Sequence, residues 1–200
     1  TFHTSGGYET GSYRVFRQSE GAYVLGHYVR PPVLDADVVS VNTATDELTI
    51  TAHGLSTGGG PLWITTTGVL PAPLALAVPY WAIVTGANTL KLATSKALAL
   101  ALTPINITTV GSGTHHLATF FTISADIQPE GGAALRDMPE GQHFESTMKL
   151  YTDTELLSRS PGYEPDVVEI DGEDWRVFDV DYFGVLSGHY RAKLERMATP

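Results

Sequence analysis

Apolar and polar residues alternate over short stretches of the chain, and turn-forming residues separate these stretches. A period of two predicts β-strands that bury one face. The clearest strand carries Phe121, Ile123, Ala125 and Ile127 on one face and ends at Pro129. Further strands with this character are predicted over residues 13–17, 22–25, 62–66, 105–108, 115–117, 144–150, 168–170, 175–177 and 190–194. The pattern therefore predicts an all-β protein.

Turn signals place several hairpins and one short helix. Residues 39–41 and 48–50 flank a turn at 43–46, and residues 80–84 and 90–93 flank a turn at 85–88. The dipeptide Asp171-Gly172 is a strong tight-turn signal between two further strands. Ser95 is a good N-cap for a helix over 95–100 that ends before Pro104. We expect one helical turn within 131–142, and a long loop from 156 to 166.

Charge is distributed unevenly and predicts two domains. Between residues 37 and 118 the charged residues are Asp37, Asp46, Glu47, Lys91 and Lys96. The flanks hold nearly all the others. Such a change in mid-chain indicates one domain inserted into a loop of another. We therefore predict a discontinuous domain of residues 1–36 and 119–200, and an inserted β domain of residues 37–118.

Composition narrows the possible functions. The chain has 200 residues, no Cys and a formal net charge of −10. Disulfides, thiolate metal sites and Cys nucleophiles are thereby excluded. The acidic balance disfavours binding of free nucleic acid, because phosphate affinity needs Lys and Arg. The apolar stretches are broken by Pro and Lys and are too short to span a bilayer, so we expect no membrane partner.

Few residues suggest chemistry. His115 and His116 are adjacent, but neighbours on a strand point to opposite faces and cannot easily share a metal ion. A cluster of acidic residues fits no metal loop, and a solvated hairpin explains it as well as a catalytic pair or a Ca²⁺ site does. Its members are Asp166, Asp171, Glu173, Asp174, Asp179 and Asp181. We expect no catalytic residues, no metal and no cofactor, and hence no enzyme.

Trp63 and Trp81 allow two interpretations. They are either part of the core of the insert or an exposed surface that stacks on sugars or on a partner. The second interpretation supports an alternative function, a tail or capsid decoration protein that binds host glycan through the inserted domain.

Segments of the flanks follow one another in a recognisable order. The first is a predicted opening hairpin of Tyr13-Arg14-Val15-Phe16-Arg17 with 21–29. The others are a strand over 121–129 ending in Gln-Pro, 135–141 with Met-Pro-Glu-Gly, 149–156 with Tyr-Thr-Asp, 166–180 around Asp171-Gly172, and His189-Tyr190-Arg191-Ala192. In this order they resemble the head-closure (stopper) family of tailed-phage head–tail connectors. The usual connector lacks the insert. Residues 48–58, 89–95 and 111–115 of the insert separately resemble a small β module of phage tail and virion proteins.

The resemblance implies a small β-barrel interrupted by a β-sandwich-like insert. It implies a homo-oligomeric ring, a hexamer or a dodecamer, in the neck of the virion, built from subunits that wait in the host cytoplasm. Its partners would be the portal or adaptor above and the tail terminator or tube protein below. The ring would retain packaged DNA in its channel without sequence-specific binding. By position, the candidate channel or ring-contact residues are Arg136, Asp137, Met138, Pro139, Glu140, Arg159, Ser160, Pro161, Tyr163 and Glu164.

Overall fold

A computed structural model describes residues 9–19, 23–24, 27–28, 32–129, 147–158, 163–184 and 188–197. The chain divides into two compact units. One unit consists of Thr1–Tyr28 together with Thr122–Pro200, and the other is Val29–Phe121. We refer to them as the barrel and the insert.

Within the described residues, strands dominate and there is one helix. The strands of the barrel are β1 (Glu9–Ser19), β2 (Tyr23–Val24), β3 (His27–Tyr28), β11 (Phe121–Pro129), β12 (Thr147–Thr152), β13 (Tyr163–Ile170), β14 (Glu173–Phe183) and β15 (His189–Arg196). The elements of the insert are β4 (Asp35–Val38), β5 (Ser40–Asn42), β6 (Glu47–Thr49), β7 (Trp63–Thr66), β8 (Trp81–Gly86), β9 (Thr89–Ala93), α1 (Lys96–Leu100) and β10 (His115–Ala118). The all-β prediction is confirmed.

Six strands of the barrel close into an antiparallel cylinder in the order β1-β11-β12-β15-β14-β13. Alternate residues line its interior: on β11 the buried side chains are Ile123, Ala125 and Ile127, as the sequence predicts. On β15 the buried residues are Ala192 and Leu194. Closure leaves these six strands without an unpaired edge, which a flat sheet of the same strands would expose.

The turn between β13 and β14 is confirmed, whereas the predicted opening hairpin is wrong. Ile170 pairs with Glu173 across the turn, where Asp171 and Gly172 both have positive φ angles of 52° and 80°. This is the backbone of a type I′ turn, which favours Asp-Gly.

Residues 13–17 belong to β1, which neighbours β11 and β13, while β2 pairs with β3 instead. A two-residue strand could not pair with all eleven residues of β1.

The insert is a two-layer sandwich. One sheet has the order β4-β10-β7 and the other has the order β5-β6-β9-β8. Both sheets contribute to one buried core, for example through Ile64 and Leu117 from the first sheet and Leu48 and Leu92 from the second. The predicted hairpins are both present, as β5–β6 and β8–β9. The predicted strand over 105–108 is absent, because Ile107 donates its backbone N–H to the Asp46 carboxylate instead of to a ladder.

The predicted short helix is present and covers a second face of the insert. The Ser95 side chain accepts a hydrogen bond from the backbone N–H of Leu98, which caps the first turn of α1. Ala99 of α1 packs with Trp81, Ile83 and Ala93 in a small cluster separate from the main core. Trp81 therefore lies on the face of β8 that points away from the sandwich interior.

The insert begins earlier and ends later than its charge pattern predicts. β4 pairs with β10 from Asp35 to Val38, so residues 35 and 36 are part of its first sheet. Leu34 belongs to its core, and its backbone N–H donates to the Thr119 hydroxyl at 3.0 Å. Residue 37, where charged residues become rare along the chain, therefore lies within β4 and not at the start of the insert. In the described residues no helix has the length and apolar character needed to cross a membrane.

Candidate functional site

Most of the predicted ring-contact residues lie outside the described part of the chain. These are Arg136, Asp137, Met138, Pro139, Glu140, Arg159, Ser160 and Pro161. Tyr163 and Glu164 are described, and they begin β13, where they pair with Ser19 and Gln18 of β1. The prediction that the loop continues to residue 166 is therefore wrong. Pro165 suggested a loop, but β13 holds it at an irregularity of the ladder with β1.

That irregularity buries an ion pair in the barrel. Phe16 pairs with Val167 and Gln18 with Glu164, so Arg17 faces one extra residue on β13. The Arg17 guanidinium donates to both carboxylate oxygens of Asp166, at 3.1 and 3.0 Å. Asp166 is completely buried and also accepts the backbone N–H of Leu157 at 2.8 Å. Burial raises the pKa of Asp166, and the Arg17 guanidinium opposes that rise.

Three further members of the acidic cluster, Glu173, Asp179 and Asp181, belong to a ladder of ion pairs with basic residues of β15. In the described residues the pairs that join β14 to β15 are Glu173–Arg196, Arg176–Glu195 at 2.6 Å, Asp179–Lys193 at 2.6 Å and Asp181–Arg191 at 2.5 Å. They match acids with bases across an antiparallel register. We call this surface the ladder wall. Among described residues there is no group of three His, Asp or Glu that could hold a metal ion.

The ladder wall is locally balanced in charge, although the chain as a whole is strongly acidic. The hydrogen bond from Lys193 lowers the pKa of Asp179, and the same bond raises the pKa of Lys193. The hydrogen bond to Asp181 raises the pKa of Arg191. These shifts keep Asp179 and Lys193 ionised together over a wide pH range. The sequence signal for the wall was available, since Arg191 and Lys193 alternate as Asp179 and Asp181 do.

Aromatic side chains extend the ladder wall at its far end. The rings of Phe183 and His189 stack with centroids 5.4 Å apart, and the Arg191 guanidinium lies 5.0 Å from the Phe183 centroid. Between Phe183 and the wall, Tyr182 and Tyr190 are also paired, with ring centroids 4.8 Å apart, and they lie on the opposite face of the two strands. Tyr182 is 61% exposed and Phe183 is 41% exposed, which is unusual for large apolar rings on a strand. We call Phe183 and His189, which share a face with Asp181 and Arg191, the aromatic end.

A groove of about 510 Å³ lies next to the aromatic end. His189 and Tyr151 line one part of it, and Asp126 and Asp153 line another. Tyr151 and His189 also approach each other, with ring centroids 6.1 Å apart. The groove and the aromatic end together give this part of the barrel a surface with aromatic and acidic features.

Trp63 and Trp81, the candidate surface of the insert, are both buried. Trp63 is 9% exposed and packs edge-on against Phe121, with centroids 5.0 Å apart. Trp81 is 6% exposed and lies beneath α1. Stacking on a sugar needs an open ring face, which neither indole offers. Of the two sequence interpretations, burial favours a packing role.

The two adjacent histidines point to opposite faces, as expected for a strand. His115 is buried, and its ring nitrogens bond to the Thr66 hydroxyl at 2.9 Å and the Val110 carbonyl at 3.0 Å. His116 lies on the outer face between Asp35 and Asp37. The first is a packing residue, whereas the second belongs to a polar cluster treated below.

Comparisons with protein-family models, with curated proteins and with solved structures gave no match. No related protein therefore supplies a fold name, an activity or a partner for this chain.

Proposed function

We propose that the protein is a structural component of a phage neck, a ring-forming head–tail connector of the head-closure type, and not an enzyme. The observation that carries the proposal is the closed six-stranded barrel. It is built from the two flanking pieces that resemble the connector family, and the insert is a separate compact unit between them. A small β-barrel is the architecture that the connector resemblance implies, and the second β unit is the insert that the usual connector lacks.

The ladder wall supports self-association. Subunits with a net charge of −10 repel one another, so copies can meet most easily where charge is locally balanced. Each of the acids Glu173, Asp179, Asp181 and Glu195 has a basic partner on the wall. The adjoining aromatic end adds exposed apolar area, and aromatic residues are enriched in the centres of protein interfaces. We therefore place the subunit contact of the ring on this surface.

The acidic balance also fits a channel through which DNA slides. A lining that bound phosphates tightly would release counterions and hold the DNA in place. An acidic ring repels the phosphates and leaves the duplex free to move. In this proposal the portal or adaptor lies above the ring and a tail terminator or tail tube protein lies below it.

A cryo-electron microscopy map of the neck of the parent particle tests the function directly. We expect the chain in a closed ring on the axis shared by the portal and the tail. Density at separate positions on the surface of the capsid or the tail, away from that axis, would overturn the connector proposal.

The proposed contact surface has its own test. Phe183→Ser should weaken self-association of the purified full chain, measured by mass photometry or by sedimentation over a concentration series. Val39→Ser is the matched control, because Val39 is 68% exposed on the insert and lies outside the proposed contact. Equal association of the two variants would exclude the aromatic end as the contact, whatever the position of the chain in the particle.

A further inference from the structure

The first and last strands of the insert hold three titratable side chains on one face. β4 and β10 are antiparallel, with His116 opposite Asp37 and Ala118 opposite Asp35. Residues two apart on a strand share a face, so both carboxylates lie on the same side as the imidazole. The chain enters the insert along β4 and leaves it along β10, so this cluster lies where the two ends of the insert meet.

The imidazole bridges the two carboxylates through both of its nitrogens. Nε2 lies 2.6 Å from Asp35 Oδ1, and Nδ1 lies 3.0 Å from Asp37 Oδ1. A neutral imidazole has only one N–H, so one of its nitrogens would direct a lone pair at a carboxylate. An imidazolium donates to both carboxylates in charge-assisted hydrogen bonds. The geometry therefore favours the protonated ring.

Two described neighbours of the ring add no charge on its face. β7 places the uncharged Thr65 opposite His116, and the neighbouring His115 points to the other face. Asp35 and Asp37 are thus the charged groups of the described insert that face the ring. Burial lowers the pKa of His116, but the hydrogen bonds to Asp37 and Asp35 outweigh it and leave the pKa above its ordinary value.

We propose that Asp35, His116 and Asp37 form a proton-dependent clasp, which fastens the two ends of the insert while His116 is protonated and loosens as the pH rises. A backbone hydrogen bond also joins the two ends of the insert beside the clasp. The backbone groups of Leu34 and Thr119 bond to each other at 3.0 Å, and this contact contains no titratable group. The clasp adds a pH-dependent contribution beside this backbone contact.

The sign of the effect follows from the direction of the shift. The folded state binds the proton of His116 more tightly than the unfolded chain does. The contribution of the clasp is therefore complete below the unfolded pKa of histidine, about 6.5, and is lost as the pH rises through the higher folded value. Asp35 and Asp37 are 41% and 69% exposed, so solvent screening keeps this contribution small.

The test is a titration of the histidine ring signals of the full chain by NMR, with His116→Gln used to assign the His116 signal. We expect a His116 midpoint above about 6.5, the ordinary value for histidine. The double variant Asp35→Asn/Asp37→Asn should lower that midpoint. Glu47→Gln, which removes one negative charge from the same unit away from the ring, should leave it unchanged. A wild-type midpoint at or below the ordinary value would overturn the proposal without reference to any variant.

A second measurement tests whether the ion pairs of His116 stabilise the pairing of β4 with β10. Hydrogen exchange of β4 and β10 peptides in the full chain, corrected for intrinsic rates, should show more protection at pH 5.5 than at pH 8. That difference should disappear in His116→Gln. Equal pH dependence in the wild type and in His116→Gln would show that the cluster does not fasten the strands.

Discussion

The buried pair of Arg17 and Asp166 provides the sharpest test of how the barrel is held together. Asp166→Ala removes two hydrogen bonds from the Arg17 guanidinium and one from the Leu157 backbone N–H. Breaking a buried ion pair from one side typically costs roughly 3–5 kcal/mol, because the remaining charge stays without compensation. The Arg17 side chain is 19% exposed, so water can solvate part of it. We therefore expect a loss near the lower end, about 3 kcal/mol.

Hydrogen exchange of the full chain measures this loss within the barrel. The free energy of opening should fall in peptides from β1 and β13, which carry the two partners. Asp166→Asn keeps an oxygen that can accept the Leu157 N–H, so its effect should be about half as large, roughly 1–2 kcal/mol. Asp153→Ala is the control, because Asp153 is an exposed acid of the connection between β12 and β13, and its effect should stay within about 0.5 kcal/mol. A loss below 1 kcal/mol in Asp166→Ala would refute the argument that this pair fastens the bulge.

Three further predictions concern the turn, the helix and the insert. Gly172→Val should destabilise the barrel by about 1–2 kcal/mol through backbone strain alone, since nothing lies within 4 Å of the added carbon; Gly172→Asn should cost much less in the same denaturant titration. Ser95→Ala should cost about 1 kcal/mol by removing the cap of α1, and Ser95→Thr should restore most of it, with thermal unfolding as the measurement. A chain in which a short Gly/Ser linker replaces residues 29–121 should keep the circular dichroism spectrum and slow exchange of a folded β-barrel; loss of protection in β11 to β15 would contradict the insertion.

Local features of the fold were readable because their causes lie within a few residues. Asp171-Gly172 forms its turn because the two residues tolerate positive φ. Ser95 caps α1 through a bond to Leu98, three positions away. The alternation on β11 needed only the period of a strand and the Pro129 that ends it. Unequal charge along the chain predicted an insert over residues 37–118, and the compact unit of the structure is Val29–Phe121.

Long-range pairing was decided only by the tertiary structure. The sequence placed the strand at 13–17 beside its neighbour in the chain, yet β1 pairs with β13 from the opposite end of the sequence. The cost of closing such a long loop grows slowly with its length, so the burial and hydrogen bonding of a whole strand outweigh sequence proximity. The hydrophobic period of a sequence identifies strands, but it does not show which two strands pair.

In the candidate site, too, the sequence showed which residues are present, and the tertiary structure decided how they are paired and buried. The acids of β14 were visible in the sequence, but their role became clear only when the register placed Lys193 and Arg191 opposite Asp179 and Asp181. Trp81 was ambiguous because a strand has two faces, and whether the outer one is covered depends on where α1 packs. Sequence determined which groups were present and the local turns that connect them. Tertiary structure decided which charges are paired and which rings are buried, because both depend on neighbours far away in the chain.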